Sequence, residues 1–230
     1  MCGRFSLIDG SKTVISERFG AKHWTAEFET ASGGGKPLYN AAPSFTLPVI
    51  LDSYDGERSI GTYARWGFEP AWASKRGHPF ANARLDTIQV RPTFREAFAH
   101  RHCLIPANSF FEWHREKGIK QPYCINVRDE HMFAFAGIWE PSPRSGGLPT
   151  FAILTTESNE LMSRIHDRMP VIIPRDREEL WLTTHEGELP FPAQYPSEKM
   201  QMYPVTTKVN KVSFNEPEAI ERIPDPGLGI

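Results

Sequence analysis

The chain opens Met1-Cys2-Gly3-Arg4-Phe5, and its second residue offers the most distinctive chemistry. An initiator methionine ahead of a small residue is normally removed, so Cys2 is expected to become the N-terminus. It then carries a free α-amine and a thiol on adjacent carbons. The amine condenses with an aldehyde to a Schiff base, and the thiol adds to that imine and closes a five-membered thiazolidine. Reference pKa values of about 8 for the amine and about 8.5 for the thiol keep both groups usable near neutral pH. Cys2 is therefore a candidate aldehyde trap or N-terminal nucleophile. A frayed end is the plainer reading of any terminal cysteine.

Four further clusters carry chemistry. Tyr39-Asn40-Ala41-Ala42-Pro43 reads as a turn ahead of a strand. In Phe80-Ala81-Asn82-Ala83-Arg84-Leu85-Asp86 an amide and a guanidinium stand two residues apart, and on an extended chain Asn82 and Arg84 share a face. Phe110-Phe111-Glu112-Trp113 sets a carboxylate among large aromatics, which makes Glu112 a candidate general base or acid. Ile165-His166-Asp167-Arg168-Met169-Pro170 puts an imidazole beside both charges, where it can shuttle protons. Each has a structural alternative: Asn82 as a turn cap, Arg84 paired with Asp86, Glu112 on a strand's polar face, Arg168 paired with Asp167, His166 ending a helix. Trp66 and Trp72 lie in a basic stretch and are candidates to stack on bases.

These residues need a scaffold, and the pattern predicts one rich in strands. Strand-like runs occur at 47–51, 61–66, 102–105, 122–127, 132–139, 151–155 and 171–173, bounded by Pro, Gly, Asp or Asn. A helix is expected over 11–20, capped by Ser11 and stopped by Gly20. Others are expected from Thr93, where Thr93 and Glu96 have capping-box spacing, over 159–165, and over 176–182 with Asp176 and Glu179 similarly spaced. Residues 32–35 read as a flexible glycine loop. The expected architecture is α+β: one domain over 1–230, with a predominantly antiparallel, barrel-like β core and a few peripheral helices.

At 230 residues, 40% hydrophobic and 23% charged, the composition is that of an ordinary globular protein. No apolar run approaches the roughly 20 residues of a membrane span, and no secretory signal is visible. Three cysteines without CxxC spacing argue against a disulfide framework and for a reducing cytosol, with Cys103 and Cys124 as small core residues. The net charge of −2 argues against a uniformly basic nucleic-acid binder. Yet residues 58–101 hold eight Lys/Arg against three Asp/Glu, and residues 176–230 hold five against ten. One localised phosphate-binding face suits that asymmetry.

Taken together, the Met-Cys-Gly-Arg-Phe opening, Tyr-Asn-x-Ala-Pro, Trp66-Gly67, Asn-Ala-Arg, Phe-Glu-Trp and His-Asp-Arg-Met-Pro stand in an order that resembles the SRAP family (SOS response-associated peptidases). The resemblance runs from Cys2 to Pro170 and extends toward Tyr203-Pro204-Val205-Thr206 and Asn210. Ala41 stands where the family more often has Val. The resemblance implies a β-rich fold that binds single-stranded DNA and forms a covalent adduct with abasic sites through the N-terminal cysteine. It also implies loss of Met1, in some members by self-cleavage. An open abasic site is an aldehyde, which is what the Cys2 chemistry requires.

On this reading Cys2 is the nucleophile, Glu112 moves protons, His166 assists sugar opening and imine formation, and Asn82 holds the terminus or the sugar. Arg4 and Arg84 neutralise phosphates, Trp72 stacks beside the lesion, and Asn40 and Pro43 complete the DNA-binding set. No metal or cofactor is expected, and the protein is expected to be a cytoplasmic monomer, nucleoid-associated when bound to DNA. Two rivals remain. One is a cysteine peptidase acting on other proteins. The other is a zinc module using His100, His102, Cys103 and His114, whose spacing matches no standard zinc pattern.

Overall fold

The computed structural model describes residues 2–25, 36–52, 60–72, 78–116, 118–142, 145, 147–184 and 187–227. Met1 and the expected glycine loop at 32–35 lie outside them. The strands are β1 (Phe5–Leu7), β2 (His23–Trp24), β3 (Leu38–Ala41), β4 (Thr46–Leu51), β5 (Ile60–Trp66), β6 (Asn82–Arg84), β7 (His102–Ala107), β8 (Ser109–Glu116), β9 (Ile119–Val127), β10 (Phe133–Glu140), β11 (Thr150–Glu157), β12 (Arg168–Pro170), β13 (Ile172–Ile173) and β14 (Met200–Pro204). The α-helices among the described residues are α1 (Lys12–Phe19), α2 (Arg95–His100) and α3 (Glu178–Thr183). The mixed, mainly antiparallel β architecture matches the expectation. None of these helices is long and apolar enough to cross a membrane.

Two sheets carry the fold. One runs β14-β9-β8-β1-β3, and the larger runs β12-β11-β10-β7-β4-β5-β2. In the larger sheet β5 also pairs in parallel with β11, Thr150 with Arg65 and Phe151 with Trp66. That pairing closes the ring β5-β4-β7-β10-β11 into a barrel, and closure leaves those five strands no open edge at the join. The two sheets share a core through β1. Phe5 belongs to the smaller sheet, but its ring lies 5.0 Å from Trp66 and 5.7 Å from Phe135 of the barrel. Full burial of such a ring is worth about 2–3 kcal/mol, so the segment just after Cys2 is firmly anchored.

The C-terminal half of β11 organises the site. On one edge β6 pairs in parallel, with Arg84 opposite Thr155; on the other β12 pairs antiparallel, with Pro170 opposite the same Thr155. Asn82 and the residues around His166 are thereby brought to two sides of one strand.

Several expectations need correction. Helix α1 forms as read, Ser11 accepting from the Val14 N–H and Gly20 in the left-handed region at φ +69°. Neither capping box forms. Helix α2 begins at Arg95 with no side-chain cap, because the N–H groups of Phe94 and Arg95 both donate to Arg91 O. Helix α3 begins at Glu178 after a 3-10 turn and also lacks a side-chain cap. The expected helix over 159–165 is a single 3-10 turn, Met162–Arg164, whose Met162 N–H donates to Asn159 Oδ1. The expected turn at 39–43 is split: Tyr39, Asn40 and Ala41 extend as β3 against β1, and the turn follows at 42–45. Trp66 cannot stack on bases; it is fully buried, lies near-parallel to Phe151 and donates its indole N–H to Ala81 O.

Candidate active site

Cys2 precedes β1 and is fully buried, its thiol 3.9 Å from Arg4 O. Burial pushes the thiol pKa up, and the nearby Glu112 carboxylate raises it further. The thiol is thus held protonated, and its reaction needs a base close at hand. Asn82 donates from Nδ2 to the backbone oxygen of Cys2 at 2.9 Å. Its Oδ1 is buried and has no hydrogen-bond partner among the described residues.

A cavity of about 300 Å³ opens beside this terminus, lined by Gly3, Arg4, Glu112, Trp113, Arg115, Lys120, His166 and Asn210. Glu112 is buried on β8 opposite Tyr123 of β9. Its charge acts on Cys2, which puts a proton acceptor close to the thiol. His166 follows the 3-10 turn, its N–H donating to Met162 O. Its Nδ1 lies 2.9 Å from the Arg168 N–H donor and 2.9 Å from Asp167 Oδ1. Nδ1 cannot accept and donate at once. As an acceptor Nδ1 takes the Arg168 N–H, and as a donor it reaches Asp167, so the ring has a partner at Nδ1 whether or not that nitrogen carries a proton.

Arg4 donates to Asn40 Oδ1 at 3.0 Å, Val209 O at 2.9 Å and Asn210 O at 3.4 Å. All three acceptors are neutral, so its charge is positioned without being cancelled; partial burial lowers its pKa. Asn40, expected to touch DNA, is instead buried inside the fold. Its Nδ2 donates to Val209 O, Lys211 O and Phe214 O at 3.0–3.1 Å. It positions Arg4 and the 209–214 segment, whose Asn210 lines the cavity. Pro43 is exposed, in the turn closed by the Phe45 N–H to Ala42 O, where Ser44 takes φ +79°, a strained value for a residue with a side chain.

Arg84 shares its face of β6 with Asn82 but is not free. It makes two bonds to Asp86, Nε to Oδ1 at 3.2 Å and Nη2 to Oδ2 at 2.6 Å. Asp86 Oδ2 also lies 3.6 Å from Nη1 of the buried Arg168. Trp72 is 65% exposed. The zinc ligands of the rival reading do not gather. His102 is buried with its ring nitrogens facing Trp181 O and Phe98 O, His100 is exposed, and no metal-holding group forms among the described residues.

The sequence reading missed Arg115, Lys120 and Asn210 as cavity residues. Arg115 and Lys120 sit opposite one another on β8 and β9. The signal was Gly118, whose φ of +83° suits the turn of a hairpin there; a hairpin centred on it fixes that register.

Residues 1–212 match the family model described as SOS response associated peptidase (SRAP). Abasic site processing protein YoqW of Bacillus subtilis (strain 168) is 37% identical, over 96% of this chain and 99% of its own. Abasic site processing protein HMCES of Xenopus tropicalis is 28% identical, over 97% of this chain and 78% of its own. A solved protein from Bacteroides thetaiotaomicron superposes with a TM-score of 0.79 at 27% identity, over 96% of this chain and 100% of that one.

Proposed function

The chain belongs to the SOS response associated peptidase family, and from that membership we propose that it binds single-stranded DNA and captures abasic sites covalently through Cys2. The observation that carries this reading is that Glu112 and His166 line one cavity with Gly3 and Arg4, next in the chain to the buried Cys2, which Asn82 holds by its carbonyl and on which the Glu112 charge acts.

With Met1 removed, the Cys2 amine attacks C1 of the ring-opened deoxyribose. A proton passes from nitrogen to oxygen, the carbinolamine loses water, and an imine forms. The thiol sulfur then adds to the imine carbon while its proton goes to nitrogen, closing the thiazolidine. Glu112 takes and returns the proton in these steps and, in the precursor, during release of Met1 by cleavage of a single intramolecular peptide bond. His166 acts as acid in sugar opening and water loss. Asn82 fixes the Cys2 backbone, and its unpaired Oδ1 is suited to accept from the substrate. Arg4 and Arg84 meet phosphates, Asn40 acts on DNA through Arg4, and Pro43 and Trp72 border the strand. The reacting carbon must leave any stack to reach a buried terminus, which favours a single strand. We read the protein as a cytoplasmic monomer that joins the nucleoid through this contact.

Intact-mass measurement after mixing with single-stranded DNA bearing one abasic site tests the proposal. The expected species has lost Met1 and gained the oligonucleotide minus one water. Cys2→Ala should give no heat-stable adduct, and an undiminished adduct in that variant would sink the assignment.

A further inference from the structure

We propose that Arg115 and Lys120 form a phosphate-binding subsite at the rim of the Cys2 cavity, taking the phosphate of a sugar phosphate whose aldehyde reaches Cys2. The proposal rests on the functional reading above for its link to Cys2.

The two residues are direct cross-strand partners on the antiparallel β8–β9 hairpin, Arg115 opposite Lys120. Side chains so placed have Cβ atoms about 5 Å apart, and like charges there destabilise a sheet. No ion pair among the described residues offsets the repulsion. Both residues are exposed, and neither has a carboxylate partner among the described residues. Glu116, the nearest acid in sequence, is engaged by His114, whose Nε2 lies 3.4 Å from its Oε2.

Neighbouring contacts hold the pair in place. The Lys120 ammonium lies 5.0 Å from the centroid of the Trp113 ring. Trp113 is fixed in turn, its indole N–H donating to Asn210 Oδ1 at 2.6 Å. Trp113 and Arg115 alternate onto one face of β8, and all of these side chains line the cavity that holds Glu112, His166 and Arg4. An unneutralised cation pair, braced by an aromatic ring at the mouth of a nucleophile's cavity, matches a phosphate with a sugar or base face beside it. This position is separate from Asp86 and Arg168, which line a different cavity with Leu85, Thr156 and Gln194. The phosphate has two possible sources, the backbone of a DNA strand or a free sugar phosphate.

The test uses Arg115→Glu and, separately, the double variant Arg115→Gln/Lys120→Gln in the full chain. Arg115→Glu puts opposite charges across the hairpin, so its Tm should equal or exceed that of the wild type, which excludes unfolding as the cause of any loss. Affinity for an intact fluorescent thymidine oligonucleotide should fall about tenfold at low salt, and the salt slope should flatten by about 0.7. Adduct rates with 2-deoxyribose 5-phosphate and with 2-deoxyribose then separate the sources. If the ratio of these rates falls too, the subsite takes the phosphate nearest the reacting carbon, free or in a strand. If only oligonucleotide binding falls, it serves a strand's backbone phosphate. Wild-type affinity and salt slope in both folded variants overturn the proposal. The oligonucleotide carries no aldehyde, so this comparison stands even if the wild type forms no adduct and the Cys2 reading fails.

Discussion

Asn82 Nδ2 lies 2.9 Å from the backbone oxygen of Cys2, a bond between residues 80 positions apart in the chain. It is the described side-chain contact that ties β6 to Cys2, and it fixes the carbonyl attached to Cα, the carbon that bears the amine and, through Cβ, the thiol. Asn82→Ala should therefore slow single-turnover crosslinking by about five- to tenfold, the value of one hydrogen bond, with little change in Tm. Asn82→Asp should be slower still, since a carboxylate oxygen would face the carbonyl oxygen. Wild-type rates in both variants would reduce Asn82 to a fold residue.

The Arg84–Asp86 pair leads to a gain of function. Hydrogen bonds from Arg84 hold the Asp86 carboxyl below its usual pKa. The pairing is therefore complete at neutral pH, and its contribution to stability is lost only as pH falls through that lowered value. On the proposed function, strand phosphates would compete with this carboxylate for Arg84. Asp86→Asn should tighten single-strand binding about threefold, the scale of an exposed ion pair, and Asp86→Glu should not. Fluorescence titrations at fixed salt decide it; weaker binding in Asp86→Asn would mean that Asp86 orients Arg84 rather than competing for it.

Alkaline pH should destabilise the protein steeply. Burial raises the thiols of Cys2, Cys103 and Cys124, the last to about 11. Unfolded thiols ionise near 8.5, so above that pH the folded state binds more protons than the unfolded one. Each thiol's contribution is full below about 8.5 and is lost as pH rises through its folded value, at about 1.4 kcal/mol per pH unit. Three thiols together give about 4 kcal/mol per unit near pH 10. Urea unfolding across that range should show at least this slope, to which the raised Tyr195 and Tyr203 hydroxyls add from about pH 10 upward, and Cys124→Ala should lessen it by one thiol's share. An equal slope in wild type and variant would contradict the assignment.

What the sequence made legible was what local chemistry decides. Helix α1 could be read because its cap and its stop both lie within ten residues of one another. Strand β8 could not, since burying Glu112 on the core side breaks the alternation that marks a half-exposed strand. Strands β1 and β3 went unread because their pairing, Phe5 with Ala41, is decided by partners far apart in sequence. The site's residue types were legible in the motifs, whereas their mutual placement depends on the edges of β11. Asn40 illustrates the gap. An asparagine in a turn-like motif gives no sign that its amide will be buried against three carbonyls some 170 residues away.

That last contact also bears on when the protein becomes reactive during synthesis. Arg4 leaves the ribosome among the first residues, but its acceptor Val209 O is made 205 residues later. Until the 209–214 segment arrives, Asn40 and Arg4 lack these acceptors and the cavity lacks the Asn210 part of its lining. A nascent chain thus exposes its terminus without the arrangement that would direct it, and a product truncated before Val209 should be a poor trap for any aldehyde. The reagent is translated first and armed last.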